Sequence, residues 1–390
     1  MSLIPAYHRR NPLALAKLWI TDLYYSIYAK LLMHKVLLPK ELKHILLINP
    51  AHLGDIVIST AVLREIKQHF PKCRVDILVG DWAAPLVIGH PGISKAYYLN
   101  HWASDRSNIA KLEKRKKYQK QVAQIMPELK ANTYDAIFFL NSYDPSIISL
   151  FRQFTCPLIG FDTSGGGPLL TRVSQNPGNL HEVQYQASLL VPWLGDIKPI
   201  NRYQAWLKES RPINQSISQM DASKPYVVIH PGSSNPAKEW ALENWQKVIE
   251  ALHKYDINIV LTGQGSREEE QANQLIQSTS GARITNLVNQ ISFDQYGDLI
   301  ANCVALLCVD SVAGHLAGAY KKPVVVVTNG LSLVSRWHPL GEQVTLLENS
   351  VACSPCHANP CAQRNCIMGI SPQAVIQILP KLLPQKVIFQ

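Results

Sequence analysis

The sequence predicts an α/β protein with two doubly wound parallel sheets, and three observations lead to this prediction. The chain has 390 residues, which is more than one core usually organises, since single cores stop growing near roughly 250–300 residues. Buried strands alternate with helices along two separate stretches, as in parallel sheets covered by helices on both faces. A polar segment with several prolines separates the stretches, so each is expected to form its own domain.

The composition is that of a folded globular protein with a basic surface. Apolar residues make up 47% of the chain and charged residues 17%, which argues against a disordered chain. The formal net charge of +10 favours acidic partners, among them phosphorylated small molecules and an anionic membrane surface. A nucleic-acid partner is not expected, because no nucleic-acid motif accompanies the densest basic run, which is most simply a solvated helix face. That run comprises Lys111, Lys114, Arg115, Lys116, Lys117 and Lys120.

Residues 1–40 are predicted to form an amphipathic helical segment. Lys17 and Asp22 interrupt its apolar run, so a transmembrane helix of about 20 apolar residues is not expected. No small-residue cleavage site follows, which argues against a signal peptide. The helix either packs on the body of the protein or lies on the inner face of a membrane. Its apolar residues at helical spacing are Ala16, Ile20, Leu23, Ile27 and Leu31.

Two domains are expected, with a linker between them. The first spans 41–195 and the second 226–370, with the linker at 196–225 and a terminal helix at 371–390. The strands expected in the first domain are HILLINP (44–50), RVDILVG (74–80) and AIFFLN (136–141). Those expected in the second are YVVIHPG (226–232), INIVLTG (257–263), VALLCVD (304–310) and KPVVVVTN (322–329). Ligands of such sheets bind at the carboxyl ends of the strands, so the turns there are the first candidates for a ligand site.

The turn after VALLCVD is the clearest candidate for a ligand site. An apolar strand runs into small polar residues that open a helix, which points backbone N–H groups and the positive end of the helix dipole at one spot, the usual place for a diphosphate. The patterns G-x-G-x-x-G and G-x-x-x-x-G-K-[ST] are absent, which argues against nicotinamide and flavin enzymes, kinases and NTPases. The turn and first helical residues are Asp310, Ser311, Val312, Ala313, Gly314 and His315.

Other polar side chains follow neighbouring strands, and each has a functional and a structural interpretation. Asp55 could take a proton from an incoming hydroxyl, or it could cap the helix that begins there. Ser233, Ser234 and Lys238 could donate to phosphate oxygens, or they could form an ordinary surface turn. Glu268 could accept hydrogen bonds from ribose hydroxyls, or it could complement the dipole of its helix.

Five segments in this order resemble glycosyltransferase family 9, the ADP-heptose:lipopolysaccharide heptosyltransferases. The resemblance covers about residues 44 to 380. The segments are LGDIVISTAVLREIK (53–67), HEVQYQASLLVPWLG (181–195), VVIHPGSSNPAKEW (227–240), IVLTGQGSREEEQA (259–272) and CVDSVAGHLAGAYKKPVVVV (308–327).

The resemblance implies a GT-B fold, in which two facing Rossmann-like domains hold the acceptor on the N-terminal domain and the nucleotide-sugar on the C-terminal one. It also implies an inverting reaction with no catalytic metal or other cofactor, in keeping with the absence of a D-x-D triplet. By this resemblance Asp55 is the general base and Glu268 the acid that contacts the ribose. Lys238, Ser233 and the N–H groups of 311–314 would stabilise the leaving ADP.

The chain departs from the family at the diphosphate turn. Residues 310–315 read DSVAGH, where the commoner family sequence is Asp-Thr/Ser-Gly-Pro-Met-His. Val312 in place of glycine would narrow the room beside the phosphates, so the identity of the donor stays open. His315 is either a phosphate contact or a hydrogen-bonded packing histidine.

The eight cysteines fall into two sets. Four are scattered and are expected to fill the core: Cys73, Cys156, Cys303 and Cys308. The other four have the spacing C-x2-C-x4-C-x4-C, with His357 beside them, and they are Cys353, Cys356, Cys361 and Cys366. A structural zinc site is one interpretation of this spacing, and an iron–sulfur cluster or free thiols are the others.

Motifs and resemblance together predict an inverting, metal-independent glycosyltransferase. It would move heptose or a related sugar from ADP-heptose to a lipopolysaccharide core acceptor, in the cytoplasm and at the anionic inner face of the membrane. A UDP- or GDP-sugar donor in O-antigen or polysaccharide assembly is the first alternative. A non-catalytic nucleotide- or metal-binding partner in envelope assembly is the second.

Overall fold

Two compact units make up the chain, Met1–Lys208 and Glu209–Gln390. Each unit contains one six-stranded sheet, and every strand pair is parallel. This confirms the predicted fold class, an α/β protein with two doubly wound parallel sheets. The computed structural model describes residues 12–33, 36–105, 107–141, 145–174, 179–218, 220, 224–279, 281–356 and 361–384.

The first unit places its six strands between helices. The strands are β1 (His44–Ile48), β2 (Arg74–Val79), β3 (Lys95–Tyr98), β4 (Ala136–Phe139), β5 (Leu158–Gly160) and β6 (Arg172–Val173). The helices are α1 (Pro12–Leu32), α2 (Leu53–His69), α3 (Ala84–Val87), α4 (Lys111–Lys130), α5 (Pro145–Leu150), α6 (Glu182–Ser188) and α7 (Val191–Leu194). The strand order across the sheet is β3-β2-β1-β4-β5-β6.

The second unit repeats this organisation. Its strands are β7 (Tyr226–His230), β8 (Asn258–Leu261), β9 (Ile284–Asn286), β10 (Ala305–Val309), β11 (Val324–Val327) and β12 (Val344–Leu347). Its helices are α8 (Ile213–Ser216), α9 (Leu242–Leu252), α10 (Ser266–Ser278), α11 (Phe293–Asn302), α12 (Val312–Ala319), α13 (Val334–Trp337), α14 (Asn365–Met368), α15 (Pro372–Ile376) and α16 (Leu379–Leu382). The strand order is β12-β11-β10-β7-β8-β9.

Both sheets reverse their winding direction at the centre. In the first unit the reversal lies between β1 and β4, and in the second it lies between β7 and β10. Open parallel sheets bind ligands outside the carboxyl ends of the strands at such a reversal. The residues that directly follow β1, β7 and β10 are therefore the first candidates for a functional site.

The terminal region belongs to the core of the second unit. Val375 and Leu379 are buried there beside Trp245 of α9. The single terminal helix expected from the sequence is two short helices, α15 and α16, because Pro380 has no N–H to bond the carbonyl of Ile376. Residues 385–390 lie outside the described ranges.

Helix α1 lies on the first unit, where Tyr25 and Tyr28 pack against the core while a row of other apolar side chains points outward. Asp22 faces the protein instead, and its Oδ1 accepts a hydrogen bond of 2.6 Å from the N–H of Gly166. Within the described ranges, no helix is both long enough and apolar enough to cross a membrane. The outward side chains include Ile20 (71% exposed), Leu23 (64%), Ile27 (53%) and Leu31 (75%).

Much of the segment expected as a linker, 196–225, is packed against the rest of the protein. Tyr203 and Ala205 are buried before the division between the units, and Ile213 and Ile217 are buried after it. These apolar side chains are anchored in spite of the polar and proline-containing sequence around them. The domain boundaries given by the sequence stay a prediction.

Candidate functional site

The turn between β10 and α12 combines helix N–H groups with an unpaired hydroxyl. Ser311 precedes the helix in an extended conformation, and the first N–H groups of α12 have no partners within the helix. The Oγ of Ser311 is buried and has no hydrogen-bond partner among the described residues. Val312 is half-buried, whereas Ala313 and Gly314 are buried. This arrangement is suited to binding an anion.

Asp310 lies at the start of this turn and is held by two donors. Its Oδ2 accepts from Nζ of Lys238 at 2.7 Å and from Nδ2 of Asn329 at 3.1 Å. Burial alone would raise the pKa of Asp310, but the Lys238 ammonium and the Asn329 amide outweigh burial, so the pKa lies below its usual range. The structure thus brings together Lys238 and Asp310, which are 72 residues apart in the sequence.

His315 lies in the first turn of α12 and is buried. Burial disfavours the charged imidazolium and lowers the pKa of His315 to about 4, so the ring is neutral near pH 7. Its Nδ1 is buried without a hydrogen-bond partner in the part of the chain that the structure describes. A neutral ring nitrogen in this place could accept from, or donate to, a bound ligand.

The residues after β7 occupy two different environments. Ser233 is buried, its carbonyl accepts from Arg267, and its N–H donates to Oε1 of Glu239 at 3.3 Å. Ser234 is exposed. Lys238 ends a 3-10 turn, Pro236–Lys238, in which the N–H of Ala237 donates to Oδ1 of Asn235 at 3.0 Å. Of the two serines, Ser233 is therefore the one fixed by the fold.

Glu268 fills the space left by two glycines at the ends of β7 and β8. A Cβ at Gly232 would lie 2.3 Å from Cδ of Glu268, and one at Gly263 would lie 2.6 Å from its Oε2. Its Oε2 accepts from the N–H of Gln264 at 2.9 Å. Burial raises the pKa of Glu268 above its ordinary value. The carboxylate is held at the carboxyl edge of the sheet, beside Ser233.

Asp55 occupies the first turn of α2, after β1. Its Oδ2 accepts from the backbone N–H of His52 at 2.9 Å, so it supports the helix N-terminus as the structural interpretation expects. Asp55 is also only half-buried, and it lies at the carboxyl edge of the first sheet. Capping fixes the position of the carboxylate and leaves it accessible, so capping and proton transfer are compatible.

A buried polar chain behind Asp55 was missed by the sequence reasoning. Nδ2 of Asn49 donates to Oγ of Ser59 at 2.8 Å, and this hydroxyl donates to Oε1 of Gln186 at 2.8 Å. These hydrogen bonds join the end of β1 and helix α2 to helix α6. Polar residues inside otherwise buried segments were the available signal, since Asn49 ends HILLINP and Gln186 lies within HEVQYQASLL.

A small cleft lies beside Asp310 in the second unit. Its space is about 260 Å³, including the part open to solvent. Its lining includes Asp310, Asn329, Ser332, Trp337 and His338.

The cysteine segment, residues 353–356 and 361–366, packs beside this site. All four of its cysteines are free thiols. Among the described residues, no three side chains of metal-ligating type are grouped so as to hold an ion, and His357 lies outside those residues. The thiols as placed do not fit a metal site. The segment contacts the site through its backbone, because the N–H of Cys356 donates to the carbonyl of Gly330 at 2.8 Å.

Comparisons with known proteins point to one family. The family model "Glycosyltransferase family 9 (heptosyltransferase)" matches residues 122–367. Lipopolysaccharide heptosyltransferase 3 of Escherichia coli K12 is 26% identical over 305 residues, which cover 75% of this chain and 83% of that protein. Lipooligosaccharide heptosyltransferase 2 of Haemophilus influenzae is 24% identical over 319 residues, which cover 78% and 88% of the two chains.

The fold is also similar to that of a solved enzyme. ADP-heptose lipopolysaccharide heptosyltransferase II of E. coli superposes with a TM-score of 0.67 at 20% identity, over 88% of this chain and 99% of that chain. At this identity the likeness concerns the fold alone, and it agrees with the GT-B class expected from the sequence.

Proposed function

Because the chain belongs to glycosyltransferase family 9, the heptosyltransferase family, we propose that it transfers heptose or a related sugar from ADP-heptose to a lipopolysaccharide core acceptor. Two relatives are named as lipopolysaccharide or lipooligosaccharide heptosyltransferases. The observation that carries the proposal is the ion pair of 2.7 Å between Lys238 and Asp310, directly before the N-terminus of α12. Lys238 provides a cation, and the N-terminus of α12 provides N–H groups, at the place where a diphosphate would leave.

On the donor side, the protein would have to stabilise the diphosphate as it leaves. As the bond between the anomeric carbon and the phosphate oxygen breaks, negative charge accumulates on the diphosphate. The Lys238 ammonium, the Ser311 hydroxyl and the first N–H groups of α12 are fixed donors for that charge, and fixed donors are among the strongest contributors to catalysis. We assign Ser233 and Ser234 to the same phosphates and Glu268 to the ribose.

The acceptor side requires a base, and we assign this role to Asp55. Its carboxylate would take the proton of the acceptor hydroxyl while that oxygen attacks the anomeric carbon and ADP leaves from the opposite face. A single displacement of this kind inverts the anomeric configuration. With Lys238 and a helix N-terminus on the diphosphate, we propose that the reaction needs no catalytic metal.

The nucleotide and the sugar are the least constrained parts of the proposal. Val312 stands in the first turn of α12, half-buried, where the family more often has glycine. A UDP- or GDP-sugar in polysaccharide or O-antigen assembly is therefore the alternative donor. Isothermal titration of the protein with ADP, UDP and GDP distinguishes these donors, and clear preference for ADP is the expected result. Preference for UDP or GDP would keep the chemistry and replace the donor.

A non-catalytic nucleotide- or metal-binding role in envelope assembly is the remaining alternative. Under that alternative Asp55 would serve only as a helix cap, and Asp55→Asn would leave biological function intact. The compatibility of capping with an accessible carboxylate favours the catalytic proposal.

We further propose that the protein works on the cytoplasmic side, at an anionic membrane surface, and that α1 makes the contact. At about 3.6 residues per turn, Lys17 and Lys30 lie at opposite edges of the outward apolar arc, and both are exposed. Asp22, the one acidic residue of α1, is turned inward to Gly166. Apolar side chains bordered by lysines suit a helix lying in a bilayer interface.

The position of α1 also suits a lipid-linked acceptor. The Gly165–Gly166 turn that holds Asp22 follows the carboxyl end of β5, and Asp55 follows the carboxyl end of β1. The carboxyl ends of parallel strands lie along the same edge of a sheet. A membrane contact through α1 would therefore place the proposed base on the edge that faces the lipid-linked sugar.

A further inference from the structure

Arg364 lies inside the cysteine segment and donates hydrogen bonds to the turn that carries Lys238. Its Nη1 donates to the carbonyl of Pro236 at 3.1 Å and to the carbonyl of Glu239 at 3.2 Å. These carbonyls precede and follow Lys238 along the chain. A single guanidinium nitrogen therefore holds both ends of the 3-10 turn from which the Lys238 side chain extends to Asp310.

The backbone of Arg364 is shaped for this contact. Its φ of 45° and ψ of 30° are left-handed, a conformation that non-glycine residues adopt mainly where the surroundings enforce it. Its N–H donates to Sγ of Cys361 at 3.4 Å, and its carbonyl accepts from the N–H groups of Ile367 and Met368 at the start of α14. The sulfur and the helix fix the backbone, and this directs the side chain to the turn.

A further hydrogen bond joins the same two stretches. Nε1 of Trp240 donates to the carbonyl of Ile370 at 3.0 Å, and both residues are buried. Residues 236–240 and 364–370 are thus connected at three points, two through Arg364 and one through Trp240. The turn that carries Lys238 is therefore held by Arg364 of the cysteine segment and by Ile370, which follows that segment.

The cysteine segment also supports the second donor to Asp310. Oδ1 of Asn329 accepts from the N–H of Leu331 at 3.0 Å, which leaves Nδ2 of Asn329 to donate to Asp310. The next residue, Gly330, accepts from Cys356, and a Cβ there would lie 3.2 Å from the Cβ of Cys366. Both groups that hold Asp310 are therefore backed by the same segment.

We propose that Arg364 is a positioning residue that keeps Lys238 at Asp310. The cysteine segment thereby supports both groups that donate to this carboxylate, the Lys238 ammonium and the Asn329 amide. The consequence for a bound diphosphate rests on the proposed function, whereas the positioning of Lys238 does not. This support gives the cysteine segment a role in the site that requires no metal.

The first test measures Lys238 itself, without any ligand. In Arg364→Asn the guanidinium is lost, while asparagine tolerates the left-handed backbone. Amine labelling of the full-length protein, read by mass spectrometry, should proceed about fivefold faster at Lys238 in this variant, because two hydrogen bonds that fix its turn are gone. Unchanged labelling of Lys238 would overturn the proposal.

The matched control removes an arginine from the opposite edge of the same sheet. Arg283 precedes β9 and pairs with Asp256, which precedes β8, so both lie at the amino-terminal ends of the strands. Arg283→Asn should leave the labelling of Lys238 at the wild-type rate. Equal acceleration in both variants would indicate general loosening of the unit and would also overturn the proposal.

The second test asks whether Arg364 acts through Lys238. Calorimetry with ADP is carried out on Arg364→Asn, Lys238→Met and the double variant. Arg364→Asn should weaken binding about fivefold in the wild-type background and less than about twofold in the Lys238→Met background, since residues that act as a unit are not additive. Equal losses in both backgrounds would overturn the proposal. If the wild-type protein bound no nucleotide, the proposed function would fail, and the labelling of Lys238 would still decide the role of Arg364.

Discussion

Single residues in the second unit are arranged so that one carboxylate organises the proposed donor site. Asp310 receives the Lys238 ammonium and the Asn329 amide on the same oxygen, Oδ2. Ser311 and His315, in the same turn, each have a buried polar atom without a partner among the described residues. Buried polar atoms without partners are rare and call for an explanation, and a ligand at this turn supplies one.

Lys238→Met is expected to destabilise the protein near neutral pH and to remove the loss of stability in acid that Asp310 causes in the wild-type protein. The pKa of Asp310 is depressed, so its ionised form contributes stability above its unfolded pKa of about 3.9, and this contribution is lost as the pH falls through the lower folded pKa. Without Lys238, burial raises the pKa of Asp310 above its unfolded value, so the folded state binds the proton first and this loss of stability in acid disappears. Denaturant unfolding from pH 7 to about pH 3 measures the shift. Lys254→Met, an exposed lysine just after α9, is the control, and the same acid profile in both variants would contradict the expectation.

His315→Gln is expected to reduce the loss of stability in mild acid. The folded pKa of His315 is lowered to about 4, below its unfolded value of about 6.5, so protons bind the unfolded state first as the pH falls between these values. Wild-type stability should therefore fall by about 2 kcal/mol for this residue between pH 7 and pH 5. Denaturant unfolding at the two pH values gives the difference, and an undiminished loss in the variant would show that His315 is not the cause.

Gly232→Ala is expected to displace the carboxylate of Glu268. The new Cβ would lie 2.3 Å from Cδ of Glu268, so the side chain must leave the N–H of Gln264. The expected cost is about 1 kcal/mol in the free energy of unfolding, that of one hydrogen bond. In the Glu268→Ala background the same glycine substitution should cost little. An equal loss of stability in both backgrounds would show that the new Cβ clashes with a group other than the Glu268 side chain.

Among the elements, α1 shows that hydrophobic periodicity can predict a helix but cannot predict which face of it packs on the protein. The apolar residues at helical spacing correctly predicted a helix in 1–40, and the structure places it at Pro12–Leu32. The spacing could not tell which face packs on the protein, because that depends on Asp22 and Gly166, which are 144 residues apart. The same limit applies to Arg364, whose carbonyl partners lie more than a hundred residues earlier.

Replacing two of the outward apolar side chains of α1 should weaken binding to anionic vesicles. Ile20→Gln/Leu23→Gln is expected to bind at least about tenfold more weakly, because each side chain buried in the interface contributes on the order of 1 kcal/mol or more. Sedimentation with vesicles of phosphatidylcholine and about 30% phosphatidylglycerol measures the effect. Both side chains are exposed, so the fold should be unaffected.

The matched control for α1 is Ile88→Gln/Leu112→Gln. These residues are also well exposed, at 59% and 63% against 71% and 64% for the pair on α1, but they lie outside that helix. The control should bind vesicles like the wild-type protein. An equal loss in the two variants, or no binding by the wild-type protein, would refute α1 as the membrane contact.

Elemental analysis decides between the interpretations of the cysteine segment. A structural zinc site is one prediction from the spacing of Cys353, Cys356, Cys361 and Cys366, beside an iron–sulfur cluster and free thiols, whereas the thiols as placed do not form a metal site. One equivalent of zinc in protein purified under reducing conditions, lost in Cys353→Ser/Cys356→Ser, would support the prediction from spacing. Less than about a tenth of an equivalent of zinc or iron would reject it.

At the scale of the whole molecule, the sequence was sufficient for the architecture and insufficient for the contacts of the site. Continuous apolar strands such as those at 305–309 and 324–327 occur where helices cover both faces of a sheet, so the doubly wound class could be predicted. Lys238 and Asp310 could each be selected as candidates because they follow strands. Asn329 could not, because its role depends on the side-chain contact with Asp310 and on the turn that orients its amide.

The measurement that tests the central claim most directly is acceptor-dependent release of ADP from ADP-heptose by the purified full-length protein. Lipopolysaccharide truncated in its inner core serves as the acceptor, and Asp55→Asn is compared with the wild-type protein. We predict release that requires the acceptor and falls at least about a hundredfold in Asp55→Asn, as expected for loss of a general base. Wild-type protein that releases no nucleotide from any ADP-, UDP- or GDP-sugar, or an Asp55→Asn variant as active as wild type, would contradict this prediction.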